Sequence, residues 1–151
     1  MHVSNGILYN HESPRRGENF VTQKIVRGAA SIAEGKAETL ELGNTEIERD
    51  WGYAPDYVQG MWMMLQQEEA DDYILATGKT HKLSDFIQLS FEYFGLDHQK
   101  HIRVNPKFVR PNEPVQLCGD SSKAQNILGW KPTVSFEKMV QEMCTAAEMS
   151  N

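Results

Sequence analysis

The chain has 151 residues, with 15 Lys and Arg against 21 Asp and Glu for a formal net charge of −6, and 40% of it is hydrophobic. That is enough apolar material for one domain's core and excludes a wholly disordered chain, and the acidic balance argues against general nucleic-acid binding, which needs a basic surface to displace phosphate counterions. No apolar run approaches the roughly 18 residues of a membrane span, the N-terminus lacks the regions of a secretory signal, and Cys118 and Cys144 form no C-x-x-C pair, so a cytoplasmic protein with reduced thiols, no membrane contact and no metal is expected.

Residues 3–9 read as a strand, and residues 10–17 (NHESPRRG) as a loop, because Asn, Ser, Pro and Gly cluster there. A helix is expected from about Asn19 to Glu34, with Gly35 just past its end. Leu40 and Leu42 alternate with polar neighbours as in a short strand before a turn at Gly43-Asn44. Asp56 is placed to cap a helix in which Val58, Met61, Trp62 and Leu65 recur at i, i+3, i+4 and i+7, an apolar stripe expected to face the core. Residues 73–76 form the next strand candidate. Ser84 is placed to cap a helix carrying Ile87, Phe91 and Phe94 and ending at Gly95, and residues 102–104 make a weaker strand. Ser121 or Ser122 begins a short helix that stops at Gly129, because Pro132 forbids its continuation. A last helix starts at Ser135 with Phe136, Met139, Val140 and Met143 at helical spacing. The order is mixed α/β in one unit spanning residues 1–151, without internal repeat or linker. Trp51, Trp62 and Trp130 are expected in the core, the methionines at 61, 63 and 64 in helix packing, and His81, His98 and His101 near the surface.

Several chemistries are missing from the sequence. There is no G-x-G-x-x-G or G-x-x-x-x-G-K-[ST] phosphate turn, no H-E-x-x-H and no G-x-S-x-G. No tyrosine has a lysine four positions later. Basic residues are unevenly spread, however. Arg15, Arg16, Lys24 and Arg27 cluster around one acid, Glu18, and residues 98–112 contain Lys100, Arg103, Lys107 and Arg110 without any acid. If the two segments converge they build a site for a phosphorylated ligand, since Arg makes forked bonds to phosphate oxygens and Lys adds a point charge. The alternative is two solvated basic faces. Glu113 is spaced to accept from a sugar hydroxyl beside a phosphate held by Arg110, or else forms an ordinary salt bridge or turn. Around Arg49-Asp50-Trp51, Asp50 caps a turn and Trp51 packs inward on the plainest reading, leaving Arg49 exposed.

The wording of the sequence carries more than its composition. Residues 5–17 (NGILYNHESPRRG) and 20–25 (FVTQKI), with Leu42-Gly43-Asn44, Arg49-Asp50-Trp51-Gly52, Asp56-Tyr57-Val58, Ala76-Thr77-Gly78, Arg110-Pro111-x-Glu113 and Leu128-Gly129-Trp130-Lys131-Pro132, closely resemble the second half of the GDP-mannose 4,6-dehydratases. The last motif is shared across extended short-chain dehydrogenase/reductases, whereas NHESPRRG is much narrower. The resemblance implies the C-terminal part of such an enzyme: the last Rossmann elements plus a smaller mixed α/β substrate-binding domain. In that family NADP takes a hydride from C4 of the mannose, water leaves across C5 and C6, and the hydride returns to C6. The Gly-rich cofactor turn and the Tyr-x-x-x-Lys pair belong to an N-terminal half absent from this sequence, so no catalytic residue is assigned and the chain alone is expected to be inactive. The resemblance assigns Asn10 and Lys24 to the substrate diphosphate and its surroundings, Arg49 and Arg110 to further nucleotide or phosphate contacts, and Glu113 to the ribose. It assigns His11 and Arg16 to NADP. Tyr53 stands where the family has His, and Pro55 where it has Lys. GDP-mannose, a Rossmann half in trans and further copies of the chain are the implied partners. A free-standing nucleotide-sugar-binding module and a pseudoenzyme are the rival readings.

Overall fold

A computed structural model describes residues 1–109, 112 and 114–149. Its strands are short and mostly paired in parallel. β1 (Gly6–Leu8) pairs with β6 (Tyr73–Leu75), β2 (Asn10–Glu12) with β5 (Trp51–Tyr53), and β3 (Leu40–Leu42) with β8 (Ile102–Val104). β4 (Glu48–Arg49) lies antiparallel to β7 (His81–Lys82) and parallel to β9 (Gln116–Leu117). The helices are α1 (Val21–Ala33), α2 (Ala54–Met64), α3 (Leu83–Tyr93), the single turn α4 (His98–His101) and α5 (Phe136–Met149). Parallel pairs joined through helices make the expected α/β class.

Two apolar clusters hold these elements. In the larger, α1, α3 and α5 bring Ile25, Val26, Ala29, Phe86, Phe91, Met139 and Met143 together beneath Trp51. In the smaller, Tyr57 and Met64 of α2 meet Tyr73, Leu75, Leu128 and Trp130 over the β1–β6 pair. Between the clusters lies the fully buried Asp50. Its carboxyl group accepts from Thr77 N and Oγ1, Gly78 N and Gly119 N, so one side chain ties the β4–β5 junction to two distant loops. Four donors offset the cost of burying that polar group.

Helix ends followed the local signals in part. Gly35 has φ +71° just past α1, and Ser135 Oγ accepts from Lys138 N at the start of α5. Ser84 does not cap α3: the helix begins one residue earlier, and Asp85 Oδ2 accepts from Lys82 N. Residues 124–128 form a π-helical turn before Gly129.

Three expectations are corrected. Residues 10–12, read as loop, form β2, because pairing with β5 supplies hydrogen bonds that outweigh the turn-forming side chains. Asp56 lies inside the first turn of α2, and its carboxylate reaches out to Thr133 and Val134. The stripe of α2 faces outward: Val58 is 60%, Trp62 62% and Leu65 57% exposed, so Trp62 leaves the core list while Trp51 and Trp130 stay on it. The helix turns that way because Gly60 lets Leu75 and Trp130 approach within the space of a methyl group, a Cβ there lying 2.5 Å from Leu75 Cδ1. In this rotation Asp56 reaches Thr133 and Val134.

Candidate nucleotide-diphosphate site

Tyr9 N donates to Leu75 O as the chain passes from β1 into β2. Strand alternation then places Asn10 and Glu12 on one side and His11 on the other. Asn10 and Glu12 line a cavity of about 620 Å3, walled also by Arg16, the start of α1, Gly43, Arg49, Trp51 and the 106–108 turn. Ligand cavities are commonly of this order, about 300–1,000 Å3. His11 is elsewhere, stacked on Tyr57 with ring centroids 5.0 Å apart and its Nδ1 2.8 Å from Tyr9 O.

The 13-residue α1 opens into the cavity through Phe20, Val21 and Thr22. Its N-cap, Phe20, offers no side-chain hydrogen bond, and its first turn carries no acid. An uncapped helix start presents N–H donors and the positive end of the helix dipole, an arrangement suited to an anion. Lys24, one turn on, donates from Nζ to Glu41 O at 2.7 Å and lies 4.3 Å from the centre of the Phe108 ring. Gly43 makes that wall close: a Cβ at 43 would sit 2.4 Å from Phe108 O.

Arg49 is 7% exposed, which corrects the expectation of an exposed side chain. Its Nη1 donates to Glu48 O and Pro114 O at 2.7 and 2.9 Å, anchoring the chain just beyond residue 113. Arg110 and Glu113 lie outside the described residues. The two basic segments converge only in part. Arg16, Lys24 and Lys107 line the cavity, whereas Arg27 pairs with Glu18 and Lys100 with Asp97.

Glu12, Phe20, Thr22 and Phe108 are among the lining residues to which the sequence reading gave no role. Alternation with Asn10 is the signal that would have found Glu12, had residues 10–12 been read as a strand. Its side chain is 1% exposed, with Oε2 taking Thr22 Oγ1 at 2.7 Å and Arg16 Nε at 3.1 Å. Burial raises its pKa, against the opposing pull of the Thr22 hydrogen bond and the Arg16 charge. Among the described residues, no three His, Cys, Asp or Glu side chains are grouped to hold a metal ion, and no helix is long and apolar enough to cross a membrane.

The fold is that of the extended short-chain dehydrogenase/reductases. RMD from Pseudomonas aeruginosa, solved in complex with NADPH, matches with a TM-score of 0.90 over 99% of this chain and 50% of that one at 22% identity. A dTDP-glucose 4,6-dehydratase from Bacillus anthracis in complex with NAD matches with a TM-score of 0.82 over 97% and 44% at 17% identity. Within that class the chain belongs to the GDP-mannose 4,6-dehydratase family, whose sequence profile matches residues 1–143. It is 52% identical to GDP-mannose 4,6 dehydratase 1 of Arabidopsis thaliana over 143 residues, 95% of this chain and 40% of the relative. It is 44% identical to the human GDP-mannose 4,6 dehydratase over 159 aligned residues, 94% of this chain and 43% of the relative. The chain thus spans about two fifths of the length of these curated relatives.

Proposed function

We propose that residues 1–151 act as one unit, the GDP-mannose-binding part of an NADP-dependent GDP-mannose 4,6-dehydratase, which forms GDP-4-keto-6-deoxymannose and water on the way to GDP-fucose and related deoxysugars. The observation that carries this reading is the cavity in which Lys24 and Asn10 meet the uncapped start of α1. A diphosphate there takes N–H donors from the helix and a point charge from Lys24. Lys24 would exchange its bond to Glu41 O for a phosphate oxygen without leaving its position beside Phe108. Arg49 holds Pro114 O, and the resemblance assigns Arg49 and Arg110 to nucleotide or phosphate contacts and Glu113 to the ribose.

The residues present do not make a dinucleotide cradle. His11 is occupied by Tyr57 and Tyr9, and Arg16 by Glu12. NADP is therefore expected to bind only when another polypeptide segment supplies the Gly-rich turn, with His11 and Arg16 as adjuncts. In the assembled cytoplasmic enzyme, itself a homo-oligomer, that segment also supplies the acid–base pair, and this chain's share of the work is to hold and orient the nucleotide sugar.

An outward apolar stripe on α2 and a two-stranded parallel sheet favour a second reading, a module that complements a separate Rossmann half. Parallel sheets are normally covered on both faces and flanked by further strands. A pseudoenzyme would keep the cavity and bind nucleotide without any such partner. Thermal melts with GDP and with UDP test the binding role: GDP should raise the melting temperature and UDP should not. Turnover of GDP-mannose with NADP by the isolated chain would refute the expected inactivity.

A further inference from the structure

Gln23 stands apart from the other polar residues of α1. It is 4% exposed, and its side-chain Oε1 accepts no hydrogen bond among the described residues. Burying an amide oxygen without a donor costs stability, so such groups in folded chains have a partner, whether a protein group, a water or a ligand. Gln23 lines a second cavity, of about 320 Å3, which shares no lining residue with the nucleotide-diphosphate site.

The wall of this cavity follows from the helix repeat. Gln23, Arg27 and Ser31 recur at i, i+4 and i+8 and so share one side of α1, with Glu34, its C-cap residue, following on. Gly35 then turns the chain at φ +71°, and Lys36 N donates to Ser31 O at 2.9 Å, which brings Lys36 back beside the helix end. Pro14 and the α5 residues Ala146 and Ala147 complete the wall with small apolar surface. Lys36 Nζ lies 2.7 Å from Glu34 Oε2, and Arg27 Nη1 is held by Glu18, which is not part of the wall. Exposed ion pairs contribute little to stability, so a ligand can take over either partner at little cost.

The occupant that suits such a wall carries a carboxylate for the two cations and, beside it, a cationic N–H donor for Glu34 and the unpartnered amide oxygen. We propose that this cavity binds an α-amino acid with a small side chain, its ammonium group donating to Gln23 Oε1 and Glu34 and its carboxylate facing Arg27 and Lys36.

L-Alanine, L-lactate and propionate test this, because they share a carbon skeleton and a carboxylate and differ at Cα, in an ammonium group, a hydroxyl and a hydrogen. Each is titrated into the full 151-residue chain and followed by amide NMR shifts. L-Alanine should shift the signals of residues 23–36 and 146–147. It should bind about tenfold more tightly than L-lactate or propionate, because a site built around an unpaired acceptor rejects an analogue without the matching donor. Gln23→Met keeps the shape of the side chain and should weaken L-alanine binding about tenfold. The ligand-free Gln23→Met chain should melt no lower than wild type, since the oxygen it removes has no partner to lose. Arg27→Gln, a surface substitution, should also weaken L-alanine binding about tenfold and keeps the test decisive should Gln23→Met fail to fold. Equal binding of the three compounds, no binding of L-alanine, or shifts confined to the wall of the nucleotide cavity would overturn the proposal. So would a folded Gln23→Met or Arg27→Gln chain that binds L-alanine as wild type does, or a ligand-free Gln23→Met chain that melts below wild type.

Discussion

Asp56 and Thr133 are 77 positions apart and share a 2.6 Å hydrogen bond, Thr133 Oγ1 donating to Asp56 Oδ1. The other carboxylate oxygen accepts from Thr133 N and Val134 N, and Asp56 O accepts from the indole of Trp130. The start of α2 is thereby joined to the segment after Gly129, two stretches that read as separate motifs along the chain. Asp56→Ala should lower unfolding stability by about 1–3 kcal/mol, since it leaves three part-buried donors of Thr133 and Val134 without their carboxylate. Urea denaturation followed by tryptophan fluorescence would measure the loss, and Asp56→Asn should cost less because it retains one acceptor.

Gly43 faces Phe108 O so closely that a side chain displaces the 106–108 turn. Gly43→Ala should cost about 1–3 kcal/mol of stability through overpacking. It should also weaken GDP binding, because Phe108 forms the wall beside Lys24. Titration calorimetry separates this from Gly35→Ala, which lies outside the cavity and should leave GDP affinity unchanged.

Trp62 is 62% exposed in the midst of the outward α2 stripe. Trp62→Gln should leave the stability of the isolated chain within about 0.5 kcal/mol, as a urea melt would measure. If a Rossmann half covers this face, the same substitution should weaken complementation by that half. Weakened folding instead would place Trp62 in the core after all.

Glu12 also sets a pH dependence. Its pKa is raised in the folded state, chiefly by burial, so the folded chain binds that proton more tightly than the unfolded chain does. Stability attributable to this group is complete below the ordinary glutamate pKa and is lost as pH rises through the raised value. Glu12→Gln should therefore flatten the stability profile in that window, and melts of both chains across it would show whether the difference grows with pH.

The two cysteines should separate cleanly. Cys144 is buried and desolvation pushes its thiol up to about 12, whereas Cys118 is exposed, its thiol also raised by partial desolvation and the nearby Asp50. A thiol reagent should modify Cys118 in the folded chain, faster as pH rises, and Cys144 only on unfolding. Mass spectrometry of the singly labelled chain identifies the site.

Helices α3 and α5 were legible because their apolar residues recur on one face and their ends carry Gly95 and Ser135, and α1 because Gly35 marks its end. The wording around residues 5–17 led to the family, and Asn10, Arg16 and Lys24 do line one cavity. β2 was not legible: its residues favour turns, and only the distant strand β5 gives them ladder partners.

By itself, then, the sequence determined the element types where periodicity was strong, the basic character of two segments and the membership of a family. Tertiary structure alone decided which face of α2 is buried, that Arg49 spends its donors on carbonyls near residue 114, and that Glu12 sits against Arg16. The physical reason is the same in each case. An amphipathic pattern or a charged side chain states what it requires, a dry surface or a counter-charge, but the group that meets the requirement comes from a residue far along the chain. Gly60 admits Leu75 and Trp130, Asp56 finds Thr133, and those contacts outweigh an apolar stripe that local periodicity alone would have turned inward.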